Sequence, residues 1–117
     1  MKLLFIINDA PYGSEKAYNA FRLAMTLQKE HTDVEVWIFL MADAVACALP
    51  GQKTPDGYYN IERMLKSMVN KGAQIKACGT CADARGLREL KLIEGIEIST
   101  MSQLAQWVVE AEKVLTF

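Results

Sequence analysis

A chain of 117 residues, 51% hydrophobic and 23% charged, has the length and apolar content for one packed core and is not the composition of a disordered segment. Thirteen basic against fourteen acidic residues leave a formal net charge of -1, without a basic block or an acidic tail. That balance argues against nucleic acid or an anionic membrane as partner. The opening apolar run is too short for a signal-peptide core, and no segment approaches membrane-spanning length. Three cysteines, an odd count, argue against a structural disulfide set and for thiols kept reduced in a cytoplasmic setting.

Residues 2–7 form a near-continuous apolar run of strand length, the pattern of a strand covered on both faces. Asn8, Asp9, Ala10, Pro11, Tyr12 and Gly13 then make a loop of turn-forming residues, and Ser14 reads as the N-cap of a helix with Ala17, Phe21, Ala24 and Met25 among its apolar positions. Thr32 and Asp33 close that helix. Val34, Val36, Trp37, Ile38, Phe39 and Leu40 read as a second strand. Residues 41–49 are alanine-rich and read as a short helix containing Cys47, for which packing is the simplest role. Residues 50–57 carry two prolines and two glycines and form the longest loop, the kind of segment that often serves as a lid.

Ile61, Met64, Leu65, Met68 and Val69 have amphipathic helical spacing, ending near Lys71 and Gly72. Residues 73–78 are expected to form a third strand. After a cysteine-bearing turn, residues 87–92 read as short helical or irregular, and residues 95–98 as a brief fourth strand. Thr100 and Gln103 have the spacing of a capping box. Leu104, Trp107, Val108 and Ala111 share one face of the helix that follows, and residues 113–117 make a final strand. Strands alternating with helices imply an α/β fold, a three-layer α/β/α sandwich around a five-stranded parallel sheet, in one domain over residues 1–117. Every loop leaving a strand then lies on one sheet edge, so residues 8–14, 41–47, 78–85 and 99–100 should converge there.

The stretch Ile75-Lys76-Ala77-Cys78-Gly79-Thr80-Cys81-Ala82-Asp83-Ala84-Arg85-Gly86 delivers a thiol to the junction of strand and helix. The Cys78-x-x-Cys81 spacing suits a dithiol redox pair, half of a zinc site, or two small buried residues. Zinc is disfavoured: only one other cysteine and the lone His31 exist, and His31 is expected at the opposite edge, so no metal site is assigned. A thiol nucleophile at Cys78 is the reading that remains, its thiolate favoured by the helix start and by Arg85 and Arg88 nearby. Asn8, Asp9 and Tyr12 either orient a sulfur-bearing ligand or simply make the turn and cap. Neither a dinucleotide-binding glycine fingerprint, nor a phosphate-binding loop, nor the serine elbow of hydrolases is present, and no cofactor is expected.

Over nearly its whole length the chain resembles the DsrE/DsrF-like sulfur-relay family, and within it the small YchN-like branch. Residues 8–15, 39–45 and 54–59 carry the looser part of the resemblance, and residues 78–86 the most specific part. The resemblance implies a three-layer fold, a cytoplasmic setting and assembly as a homotrimer or homohexamer. It also implies that Cys78 matches the cysteine that accepts a sulfur atom as a persulfide and passes it between donor and acceptor proteins, with Asn8, Asp9 and Arg85 as supporting groups. Cys81 departs from the single-cysteine pattern of relay subunits and would act as a resolving thiol. A dithiol switch using Cys78 and Cys81, and a non-catalytic oligomeric binding module, are the alternative functions.

Overall fold

The computed structural model describes residues 1–117. Five strands, β1 (Lys2–Ile7), β2 (Glu35–Leu40), β3 (Gln74–Cys78), β4 (Ile96–Ser99) and β5 (Lys113–Thr116), alternate with helices α1 (Lys16–Glu30), α2 (Ile61–Asn70), α3 (Gly79–Ala84) and α4 (Met101–Glu110). The sheet is wholly parallel in the order β4-β3-β2-β1-β5. β1 starts a walk outward through β2, β3 and β4, and α4 then carries the chain back to seat β5 on the free side of β1.

The sheet is covered on both faces, and strand periodicity says by what. Trp37 and Phe39 of β2 point to one side, where Trp107 of α4 stacks on Trp37 with ring centroids 5.0 Å apart and meets Phe39 edge-on at 6.2 Å. Such aromatic pairs add roughly 0.5–1.5 kcal/mol beyond the area they bury. Val36, Ile38 and Leu40 point the other way. On that side lie α1, through Ala17, Ala20, Phe21 and Ala24, and α2, through Ile61, Leu65 and Met68. Small residues on α1 let it lie close to the sheet, while β1, buried on both faces at Leu3, Leu4, Phe5 and Ile7, needs no polar alternation.

Two local readings change in detail. The first helix starts at Lys16 with Glu15 at its cap position, because Ser14 donates its hydroxyl to Asp9 Oδ2 (2.6 Å) and is held in the loop. From there its oxygen still accepts the Lys16 N–H at 3.2 Å. The alanine-rich segment is a 3₁₀ helix, Ala42–Ala48, entered through Ala42 at φ 50. A left-handed entry and a closing Pro50 leave too short a run for an α-helix to propagate. Of the two readings for residues 87–92, short helical or irregular, the structure shows the irregular one, with a turn at Arg88 and Glu89. By contrast Thr100 caps α4 as its spacing predicts, its hydroxyl accepting the Gln103 N–H at 3.2 Å.

Candidate functional site

Parallel strands place the C-terminal ends of β1 to β4 along one edge, and Cys78 is the last residue of β3, paired across to Ser99 of β4. Its backbone is still extended (φ -63, ψ 121) while its carbonyl side already enters α3, so Cys78 occupies the N-cap position with its side chain. The sulfur accepts the Cys81 N–H at 3.3 Å. One helical turn later Cys81 adds a second thiol that bears on Cys78. Cys78 is 6% exposed and Cys81 half-buried; both are free thiols.

This geometry overturns one expectation. Burial, and then the neighbouring Cys81 thiol, push the Cys78 thiol above its ordinary pKa, and the Cys81 and Thr80 N–H groups that favour the thiolate do not outweigh them. A six-residue helix carries little dipole, and both arginines are engaged with carboxylates. Arg85 donates through Nε to Asp43 Oδ1 at 2.8 Å and through Nη1 to the Cys81 carbonyl at 3.1 Å. Arg88 makes a paired contact with Asp83, Nε to Oδ1 at 2.7 Å and Nη2 to Oδ2 at 2.9 Å. The Arg88 guanidinium in turn holds the Asp83 carboxyl below its usual range. Both ion pairs are open to solvent and screened by it, so they act chiefly by orientation.

Of the residues singled out in the sequence, the structure thus brings Cys78, Cys81 and Arg85 together, and joins Asp43 to them. Asn8, Asp9 and Tyr12 sit at the same edge but bond elsewhere, because β1 lies two strands from β3, roughly 10 Å away at the usual strand spacing. Asn8 binds the C-terminal residue, its backbone N–H reaching the Phe117 carbonyl at 2.9 Å. Asp9 holds Ser14. Tyr12 donates to Gln52 Oε1 (2.5 Å) and accepts the Ile61 N–H (3.0 Å), and burial raises its pKa.

Gln52 is the residue the sequence reading missed. Its amide donates to the Cys47 and Leu49 carbonyls (3.0 and 2.8 Å) and accepts from Tyr12 and from the Glu62 N–H (3.2 Å). Its own N–H goes to Glu62 Oε1 at 2.9 Å, and its carbonyl takes the Asn60 side chain at 3.2 Å. The long loop is therefore latched rather than lid-like. No spacing rule reveals such a hub, whose partners lie up to 40 residues away. Cys47 beneath it is fully buried with its thiol pushed up to about 12, an inert packing residue. Asp43 carries a weak signal, an acid beside a left-handed residue at a strand end. Gly79, between the thiols, is the kind of glycine that marks close approach.

A surface cleft of about 430 Å³ lies apart from the thiols, between α1 and α2, walled by Tyr18, Arg22, Tyr58, Tyr59 and Arg63. The thiols, not this cleft, bring nucleophilic groups together, and no third metal-ligating side chain stands beside them.

The DsrE/DsrF-like family profile matches residues 1–117. The chain belongs to the DsrE/DsrF-like family, which is linked to sulfur relay. It is 46% identical over 116 residues to Protein YchN of Escherichia coli, covering 99% of this chain and 98% of that one, which places it in the YchN-like branch. It is 44% identical over 117 residues to protein MJ0989 of Methanocaldococcus jannaschii, with full coverage of both chains. The crystal structure of YchN superposes with a TM-score of 0.95 at 45% identity, over 100% of this chain and 99% of that one. Protein MTH1491 of Methanobacterium thermoautotrophicum shares the fold, with a TM-score of 0.74 at 14% identity over 99% and 98% of the two chains. No helix of this YchN-like chain is long and apolar enough to cross a membrane.

Proposed function

We propose that the chain is a sulfur-relay protein in which Cys78 accepts a sulfur atom as a persulfide and hands it on. The observation that carries this reading is the Cys78 sulfur at the strand-to-helix junction, where it accepts the Cys81 N–H and keeps a narrow opening to solvent. A carrier needs a thiol that resists adventitious alkylation yet can attack a bound donor as a thiolate. A raised resting pKa suits the first demand, and the N–H groups of Thr80 and Cys81, which favour the thiolate, the second. The Cys78 thiolate displaces a thiolate from a donor hydropersulfide, and the acceptor thiolate later takes the outer sulfur by the same displacement.

A second reading, a dithiol switch, is favoured by two free thiols one helical turn apart, with the Cys78 sulfur already bonded to the Cys81 backbone. Attack of the Cys81 thiolate on the inner sulfur of a Cys78 persulfide would form a Cys78–Cys81 disulfide and release hydrosulfide, with a cellular dithiol needed to restore the pair. We place this chemistry in the cytoplasm, where free thiols such as these persist. We also propose a homo-oligomer, supported by the exposed Met101, Val108 and Val109 of α4 and Val114 of β5; sedimentation equilibrium tests it, and a strictly monomeric chain would contradict it.

The functional test is the intact mass of the protein after exposure to inorganic polysulfide, with and without reductant. The carrier gains one reducible sulfur atom in the wild type and in Cys81→Ser, and none in Cys78→Ser. Loss of two hydrogens without gained sulfur supports the switch instead, and an unchanged mass contradicts both.

A further inference from the structure

The cysteine turn contains a glycine that its backbone does not require. Gly79 opens α3 without a positive φ, so any residue fits its dihedrals. Arg88 is what leaves no room for a side chain. A Cβ on Gly79 would lie 2.7 Å from Arg88 Nη2 and 3.1 Å from Arg88 Cζ, with Ile98 Cγ2 also at 3.1 Å. The guanidinium therefore rests on the bare Cα of the residue that follows Cys78. Asp83, one turn further along α3, grips it from outside with two bonds, and that bidentate geometry fixes its plane.

The other charged and titratable groups around the turn are Arg85 and Asp43, paired with each other, and the Cys81 thiol. Arg85 is drawn away to Asp43 and the Cys81 carbonyl, which leaves Arg88, paired with Asp83, as the cation seated on Gly79 beside Cys78. The Asp83 carboxylate is the main reason the Arg88 guanidinium is held above its usual pKa, and Glu89 adds to the pull.

We propose that Arg88, seated on Gly79, is the charge partner of anionic sulfur at Cys78, so that the site takes hydropersulfide donors and keeps the accepted sulfur as a persulfide anion. The substrate class rests on the sulfur-relay reading; the charge placement rests on the geometry alone. In the step, the Cys78 thiolate bonds to the outer sulfur of R–S–SH, the donor S–S bond breaks, and the donor leaves as R–S⁻. The transferred S–H then yields its proton to water, and its negative charge, one S–S bond of about 2 Å beyond the buried sulfur, is held by the guanidinium at the rim.

The test uses the full chain carrying Cys81→Ser, and follows labelling of Cys78 by anionic iodoacetate and by neutral iodoacetamide as a function of pH. Arg88→Leu, and Gly79→Ala by displacing the guanidinium, each lower the iodoacetate-to-iodoacetamide rate ratio and raise the labelling midpoint, by up to about tenfold in rate, or one pH unit. Arg88→Lys restores most of the ratio. The helical backbone at Gly79 accepts alanine, and an unchanged thermal transition verifies that each variant is folded. An unchanged ratio and midpoint in folded Arg88→Leu overturn the proposal. So does equal acceleration of both reagents, which assigns Arg88 a merely shielding role. Because no sulfur donor is used, a chain that never accepts sulfur but shows the ratio shift contradicts the carrier reading alone.

Discussion

Two loops leave the same edge of the sheet and are built on opposite terms. In residues 50–60 every polar atom of the Gln52 side chain is used, by Tyr12, Glu62, Cys47 and Leu49, so the segment is fixed and has little left to offer a ligand. In residues 78–88 the bonds run through exposed ion pairs, and two thiols stay free, the Cys78 sulfur accepting a backbone N–H. The contrast separates what holds the edge together from what does chemistry on it. A cysteine under the first loop, Cys47, is fully buried with its thiol pushed up to about 12, while a cysteine in the second, Cys78, keeps the narrow opening to solvent that the proposed sulfur transfer needs.

Gln52→Leu should break the comparison on its structural side with the largest loss of stability. It leaves the Cys47 and Leu49 carbonyls, the Tyr12 hydroxyl proton and the Glu62 N–H without partners, a cost of about 2–4 kcal/mol by chemical denaturation. Sulfur acceptance at Cys78 persists in the folded fraction, and its loss there would join the two regions into one site. Alkaline titration sharpens the contrast between the buried thiols. Cys47 has a folded-state pKa raised from 9.0 to about 12, so the folded protein holds that proton more tightly than the unfolded chain does. Its contribution to stability is complete below about pH 9 and is lost as pH rises toward 12. Denaturation midpoints should fall over that window, and fall less in Cys47→Ala, which itself costs roughly 1 kcal/mol near neutrality for the lost packing.

Smaller effects follow at the capping positions. Thr100→Ala removes the acceptor of the Gln103 N–H and should cost about 1 kcal/mol without changing sulfur acceptance. Cys78→Ser should change stability least, by less than about 1 kcal/mol, because serine is a good cap for the same N–H, while removing the chemistry entirely. A variant that unfolds would show instead that Cys78 is a packing residue.

What was legible in the sequence follows the range of the interactions. The strands, α1, α2 and α4 are written in local periodicity, and the parallel sheet follows from their alternation. Cys78 and Cys81 were legible because a strand, a turn and a helix start lie within a dozen residues. The raised pKa at Cys78 was not, because it depends first on burial, to which β4 paired at its side belongs, and then on the Cys81 thiol. Tyr12 reads locally as a ligand-facing loop residue, yet its hydroxyl is bound by a glutamine 40 positions away. The role of Gly79 likewise appears only once Arg88, nine residues on, folds back over it.

The most direct test of the central claim is delivery. Protein loaded with sulfur at Cys78 is freed of donor and presented with an excess of a small acceptor thiol, and both partners are weighed. A carrier returns to its unmodified mass with both thiols free as the acceptor gains one sulfur atom, and does so in Cys81→Ser as well. Release of hydrosulfide with a Cys78–Cys81 disulfide left behind, and no sulfur on the acceptor, would contradict the carrier and leave the dithiol switch.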